Sequence, residues 1–125
     1  MIKHIVMWNV RGDTPQERAG NVRRLKAGFE ALRGRIPGMS RLEIGVNTSG
    51  VDYACDLVLY SEFEDQAALD GYASHPEHLD LRSRLGDLRL ARHQVDYEAE
   101  YQAEYQAAEG VRNAAGSPSM RGREE

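Results

Sequence analysis

From Ile2 to Val10 apolar side chains fall on both parities of the run: Ile2, Val6, Trp8 and Val10, joined by His4, on the even positions, and Ile5 and Met7 on the odd ones. A strand with one wet face alternates apolar and polar residues, so this double-sided pattern predicts a strand covered on both sides. In so short a chain the second cover is expected from another subunit. Asp13-Thr14-Pro15-Gln16-Glu17 then marks a helix start, with Thr14 as cap, Pro15 at the first helical position and Glu17 reaching back. Ala19, Val22, Leu25, Phe29, Leu32 and Ile36 follow at helical spacing, which predicts one long helix ending before Pro37-Gly38 and laying an apolar stripe on a sheet.

Leu42, Ile44 and Val46 alternate with Arg41, Glu43 and Gly45 as a second strand, closed by the turn cluster Asn47-Thr48-Ser49-Gly50. A third strand is predicted from Tyr53 to Glu62, with Tyr53, Cys55, Leu57 and Leu59 on one face and Ala54, Asp56, Val58 and Tyr60 on the other. A short helix over Asp65 to Ala73 is broken by Ser74-His75-Pro76, after which a new helix carries Leu79, Leu81, Leu85 and Leu88. Arg92 to Tyr97 supplies the last strand. The order β-α-β-β-α-β is that of the ferredoxin-like unit, an α+β fold with helices on one face of its sheet and nothing on the other. A bare apolar sheet face in water predicts self-association, here into a dimeric α+β barrel.

The domain is expected to occupy residues 1–98. Beyond it, Tyr97-Glu98-Ala99-Glu100, Tyr101-Gln102-Ala103-Glu104 and Tyr105-Gln106-Ala107-Ala108 repeat with helix-favouring residues that would also suit a strand continuing from Val95. A terminal helix over 99–109 is the expectation, followed by a flexible tail over 110–125 with little to bury.

A chain of 125 residues suits one core, so function is sought in one sheet and its helices. The apolar runs are too short for a membrane anchor, and the amino terminus reads as a strand rather than a secretion signal, so a cytoplasmic location is expected. A single cysteine, Cys55, excludes an internal disulfide and is read as a small buried residue on the third strand. Arg18, Arg23, Arg24, Lys26, Arg33 and Arg35 load the first helix with positive charge, but a net charge of -4 and a pI near 5.6 speak against a nucleic-acid partner. That basic helix is read as a solvated face.

The Lys3-His4-Ile5-Val6 opening, Phe63 at the close of the third strand, the segment Tyr72-Ala73-Ser74-His75-Pro76-Glu77-His78 and the terminal Asp96-Tyr97 together resemble the stress-responsive dimeric A/B barrel (Dabb) family. The Tyr-x-x-His-Pro-x-His element after a third strand and short helix is the most specific part. The resemblance implies a homodimer with two sheets packed face to face. The family includes plant stress-response proteins and a polyketide cyclase that uses a tyrosine and two histidines in a pocket between sheet and helices. Carried over by motif, those positions correspond to His4, Tyr72 and His78.

An imidazole titrating near neutrality can remove a proton α to a carbonyl while a second histidine or a tyrosine holds the enolate oxygen. On this reading His78 is the base, His4 its orienting partner or a hydrogen-bond donor, and Tyr72 the donor to a substrate oxygen. Val6, Trp8, Leu57 and Leu59 would wall a site for a small apolar or aromatic ligand. The same residues admit a structural account: His75-Pro76 starts a helix, His78 satisfies backbone groups there, and Tyr72 and His4 fill core volume. His75 and His78 lack the carboxylate spacing of a known metal motif, so no metal is assigned, and His93 is placed at the surface or an interface. The glycine-bearing segments read as turns, and no serine sits in a nucleophile elbow.

Three functions follow: a homodimeric ligand-binding barrel, a cyclase or lyase working without a cofactor through His4, Tyr72 and His78, and, by fold analogy alone, a cofactor-assisted monooxygenase.

Overall fold

A computed structural model describes residues 1–99 of the chain. The elements run β1 (Ile2–Val10), α1 (Pro15–Glu30), β2 (Met39–Val46), β3 (Leu57–Phe63), α2 (Gln66–Ala73), α3 (Pro76–Leu85) and β4 (Arg89–Glu98). The four strands form one sheet in the order β2-β3-β1-β4, every neighbouring pair antiparallel. This is the ferredoxin-like β-α-β-β-α-β arrangement.

Parity decides which side chains enter the core. Ile2, His4, Val6, Trp8 and Val10 of β1 are buried, and so are Leu57, Leu59, Ser61 and Phe63 of β3 and Leu42 and Ile44 of β2. They face α1, which supplies Val22, Leu25 and Phe29, and the two shorter helices, which supply Leu69, Tyr72, Leu81 and Leu85. The Trp8 and Phe29 rings stack 5.2 Å apart across this layer. Ile5 and Met7, opposite Val95 and His93, stand on the other face, where no helix of the described residues lies. Among the described residues the double-sided pattern of β1 is thus covered on one side only.

Each helix start is a local solution to unpaired backbone N–H groups. Thr14 Oγ1 accepts from Glu17 N at 3.0 Å, Asp65 accepts from Ala68 N at 2.9 Å, and His75 Nδ1 accepts from Glu77 N at 3.1 Å, with Pro15 and Pro76 just inside their helices.

The structure departs from the sequence pattern in several places. α1 ends at Glu30, and Leu32 and Ile36 stay buried from a run of turns that continues the apolar spacing. Gly34 adopts φ 81, a left-handed conformation that stops a helix. Ala19 is exposed, outside the buried stripe. The basic helix is only partly a solvated face: Lys26 Nζ donates to the Ile44 carbonyl at 3.0 Å and Arg33 Nη2 to the Leu42 carbonyl at 2.7 Å. These cations satisfy the outer carbonyls of β2, an edge strand otherwise open to pairing.

β3 begins at Leu57 rather than Tyr53, because Asp56 ties the preceding loop to β1: its N–H donates to the Trp8 carbonyl at 2.9 Å and its carboxylate accepts from Val10 N at 2.8 Å. Tyr53 is therefore exposed and Cys55 half-buried in a loop, not packed on a strand. α3 stops at Leu85 before Gly86, so that Leu88 is partly buried beyond the helix, and Leu79, within it, is exposed. β4 starts at Arg89, earlier than the pattern indicates.

The terminal helix over 99–109 and the tail over 110–125 lie outside the described residues, except Ala99, whose N–H donates to the Met1 carbonyl at 3.0 Å. Among the described residues no helix is long and apolar enough to cross a membrane.

Leu25 is fully buried beneath the sheet-facing stripe of α1. Leu25→Ala should lower the unfolding free energy by roughly 2–5 kcal/mol, read as a shift in urea midpoint at fixed protein concentration. A shift below about 0.5 kcal/mol would mean that α1 does not pack as described.

Candidate functional site

The inward parity of β1 carries one titratable residue, His4, and the register of the sheet puts Asp96 of β4 directly opposite it. His4 Nδ1 lies 2.6 Å from Asp96 Oδ1, the carboxylate accepting the ring proton. That tautomer leaves Nε2 as the lone-pair position. The arrangement continues along the same parity of β4: Gln94 Nε2 donates to Asp96 Oδ2 at 3.0 Å, and Arg92 Nε donates to Gln94 Oε1 at 3.0 Å. A row of polar side chains thus orients the imidazole from its outer side.

Tyr72, in the last turn of α2, is buried between the two imidazoles. Its ring lies 6.1 Å from that of His4, edge-on, and stacks 4.3 Å from that of His78. Burial pushes the phenol up to about 12, against the opposing pull of Arg92 and Arg89, so near neutrality it keeps its proton and can donate it in a hydrogen bond. No described residue hydrogen-bonds its hydroxyl.

His78 follows the His75-Pro76 break, and its Nδ1 lies 3.3 Å from the Ala73 carbonyl, to which it donates. Burial holds its pKa below the ordinary 6.5, and Arg82 and Arg89 push the same way, while hydrogen bonds to Ala73 and Tyr72 backbone oppose them. A neutral ring with Nε2 unprotonated results. His78 thus offers a lone pair and Tyr72 offers a proton.

These three residues line one cavity of about 250 Å³, together with Val6, Trp8, Phe29, Leu59 and Leu69 as apolar walls. Arg89, Arg92, Gln94, Asp96, Gln66 and Asp70 add a polar part to the lining. Of the apolar residues expected at the site, Val6, Trp8 and Leu59 are here, whereas Leu57 borders a separate hollow of about 540 Å³ with Met7, Val46, Tyr53 and His93, on the side away from the helices. His75 is committed to its capping bond. Among the described residues no group of three or more His, Cys, Asp or Glu could hold a metal ion.

Sequence reasoning missed Arg89, Arg92 and Gln94, and it counted Asp96 only as part of a motif. The signal was present in the alternation Arg92-x-Gln94-x-Asp96, a polar parity on a strand paired to an apolar one.

A family model described as Stress responsive A/B Barrel Domain (Dabb) matches residues 2–99. The chain belongs to this family. Among solved structures, this Dabb domain is similar to a dimeric protein of unknown function and ferredoxin-like fold from Bacteroides fragilis, with 33% identity, a TM-score of 0.69, and 78% of this chain and 95% of that one covered. It is also similar to a Dabb family protein from Mesorhizobium loti (26% identity, TM-score 0.62, 79% and 96% covered). A hydroxynitrile lyase from Passiflora edulis shares the fold at 14% identity, with a TM-score of 0.66 and 79% and 93% covered. No curated protein matches the sequence.

Because folding lowers the His78 pKa, the unfolded Dabb chain takes up this proton first as pH falls. The stabilisation from a neutral His78 is complete above 6.5 and is lost as pH drops through the lower folded value. His78→Gln should therefore flatten the loss of unfolding free energy between about pH 7 and pH 5 in urea titrations. An unchanged pH slope would remove His78 from this account.

Proposed function

We propose that the protein acts as a homodimer, each chain holding a small aromatic or apolar carbonyl compound between sheet and helices and moving a proton on it through His78, Tyr72 and His4. The dimer is supported by the uncovered sheet face and by the relative from Bacteroides fragilis, described as dimeric. That face presents Ile5 and Met7 opposite Val95 and His93, with Val58 beside them, and leaves 52% of Val95 in water within one chain. Burying such a surface is favourable by about 25 cal/mol per Å² of apolar area.

The observation that carries the chemical part is Tyr72 set between two imidazoles at the wall of a cavity with an apolar floor, its hydroxyl without an acceptor among the described residues. Neutral His78 takes the proton from the carbon next to the carbonyl. The Tyr72 hydroxyl donates to the oxygen on which negative charge develops, and His4, held in place by Asp96, accepts or returns a second proton. This is the proton inventory of a lyase or of an aldol-type cyclase, and it needs no cofactor. A second reading, binding without turnover, rests on His78 Nδ1 being spent on the Ala73 carbonyl, a bond that helix packing alone would explain.

Exchange of the α-protons of 1-phenylpropan-2-one in D2O separates the two without knowledge of the natural substrate. Wild-type protein should accelerate it, His78→Ala should lower the rate about a hundredfold or more, and Tyr72→Phe should lower it by at least tenfold. Wild-type exchange in His78→Ala would exclude that residue as the base, and a thermal shift without any exchange would favour binding alone. In sedimentation, the wild type should run as a dimer at micromolar concentration and Val95→Glu as a monomer. A stable wild-type monomer would overturn the barrel.

A further inference from the structure

Arg89 is a partly buried cation at the cavity wall. Its guanidinium lies 5.4 Å from the Trp8 ring and 5.7 Å from the Phe29 ring, at the cavity wall. Half of it is buried, and the charged or titratable groups that act on it are Arg82, Arg92 and Tyr72, two of them cations and the third a neutral phenol. Burial and these two arginines hold its pKa below the ordinary arginine value. No carboxylate among the described residues lies within salt-bridge distance of Arg82, Arg89 or Arg92.

The two acids at the cavity are already engaged. Asp96 accepts from His4 and Gln94, and Asp70 accepts from Gln66 Nε2 at 2.9 Å. The cavity therefore joins an apolar floor to a cationic wall with spare N–H donors. Removing a guanidinium from water beside like charges is unfavourable unless an anion offsets it, and Arg presents a planar fork that fits a carboxylate.

We infer that the ligand of this cavity is an aromatic or apolar carboxylic acid, its ring against Trp8, Phe29, Val6 and Leu59 and its carboxylate on Arg89, with Arg92 as the neighbouring cation. The inference rests on the proposed reading of the cavity as a ligand site and names the chemical class of what enters it. Arg89 fixes the acid at one end, so that the remainder of the molecule reaches Tyr72 and the imidazoles. A keto acid with an aromatic or branched apolar group satisfies both ends at once.

The test is a titration of the full chain with 3-phenylpropanoate and phenylacetate against their primary amides, followed in NMR spectra by the imidazole signals of His4 and His78. The wild type should bind the acids about tenfold more tightly than the amides, and added salt should weaken the acids alone. Arg89→Gln should bring the acid-to-amide ratio near one, and Arg89→Lys should keep part of the preference. Equal binding of acids and amides by the wild type would overturn the inference while leaving the cavity a ligand site. An acid preference that survives in both Arg89 variants would overturn the role of Arg89, and histidine signals unmoved by either class would remove the cavity reading together with the inference.

Discussion

Trp8, Val6, Leu59 and Phe63 packed against Phe29, Leu25 and Tyr72 form the contact on which the rest of the structure depends. Side chains alternate along a strand, so once Val6 and Trp8 turn toward the helices His4 turns with them and Lys3 and Ile5 turn away. The register then passes this choice across the sheet. Asp96, opposite His4, and Gln94, opposite Val6, inherit the inner side, while Val95, opposite Ile5, inherits the outer one. A one-residue slip of β4 would exchange the polar row for the apolar one, losing the His4–Asp96 pair and the apolar outer face together.

The cavity exists because the helical layer is interrupted. α1 supplies the continuous cover, but the second half of the chain delivers two short helices with Ser74-His75-Pro76 between them. Proline cannot continue α2, since it lacks an N–H and its ring clashes with the preceding turn. His75 then caps α3. The break brings the last turn of α2 and the first of α3 over the polar parity of β4, which sets Tyr72 and His78 against each other there. The same element that ends a helix thus assembles the cavity.

Much of this arrangement could be read from residue order. The strand parity of β1, the helix starts at Thr14-Pro15 and His75-Pro76, the β-α-β-β-α-β order and the Tyr72 to His78 segment each follow from local rules that need no knowledge of the partner strand. What escaped has a common cause: local periodicity continues where tertiary tethers have already ended an element. Leu32 and Ile36 keep helical spacing after α1 stops, and Tyr53 and Cys55 keep strand alternation inside a loop that Asp56 ties to β1. Leu57 has the parity of Leu59 but borders the other hollow, because it lies at the far end of β3 from Tyr72. Asp96 and Arg89 were visible as residue types, but their meaning depends on which strand lies beside β4.

A core selected for stability alone would not look like this one near Tyr72. Ser61 is fully buried with no hydrogen-bond partner for its Oγ, directly across the sheet from His4. His4 is a buried imidazole on a carboxylate, an arrangement that apolar residues of the same size commonly match or exceed in stability. Tyr72 buries a phenol ring, and Arg89 half-buries a cation among cations. An unsatisfied buried polar group costs about 1–3 kcal/mol, and such costs scattered at random would be removed at little loss. Here they fall within one patch, on side chains that share a cavity or a strand pairing with it. Local departures from stability that converge on one concavity are what a site arranged for an absent molecule would require. The chemistry proposed for the cavity therefore rests on that convergence more than on any one of its residues.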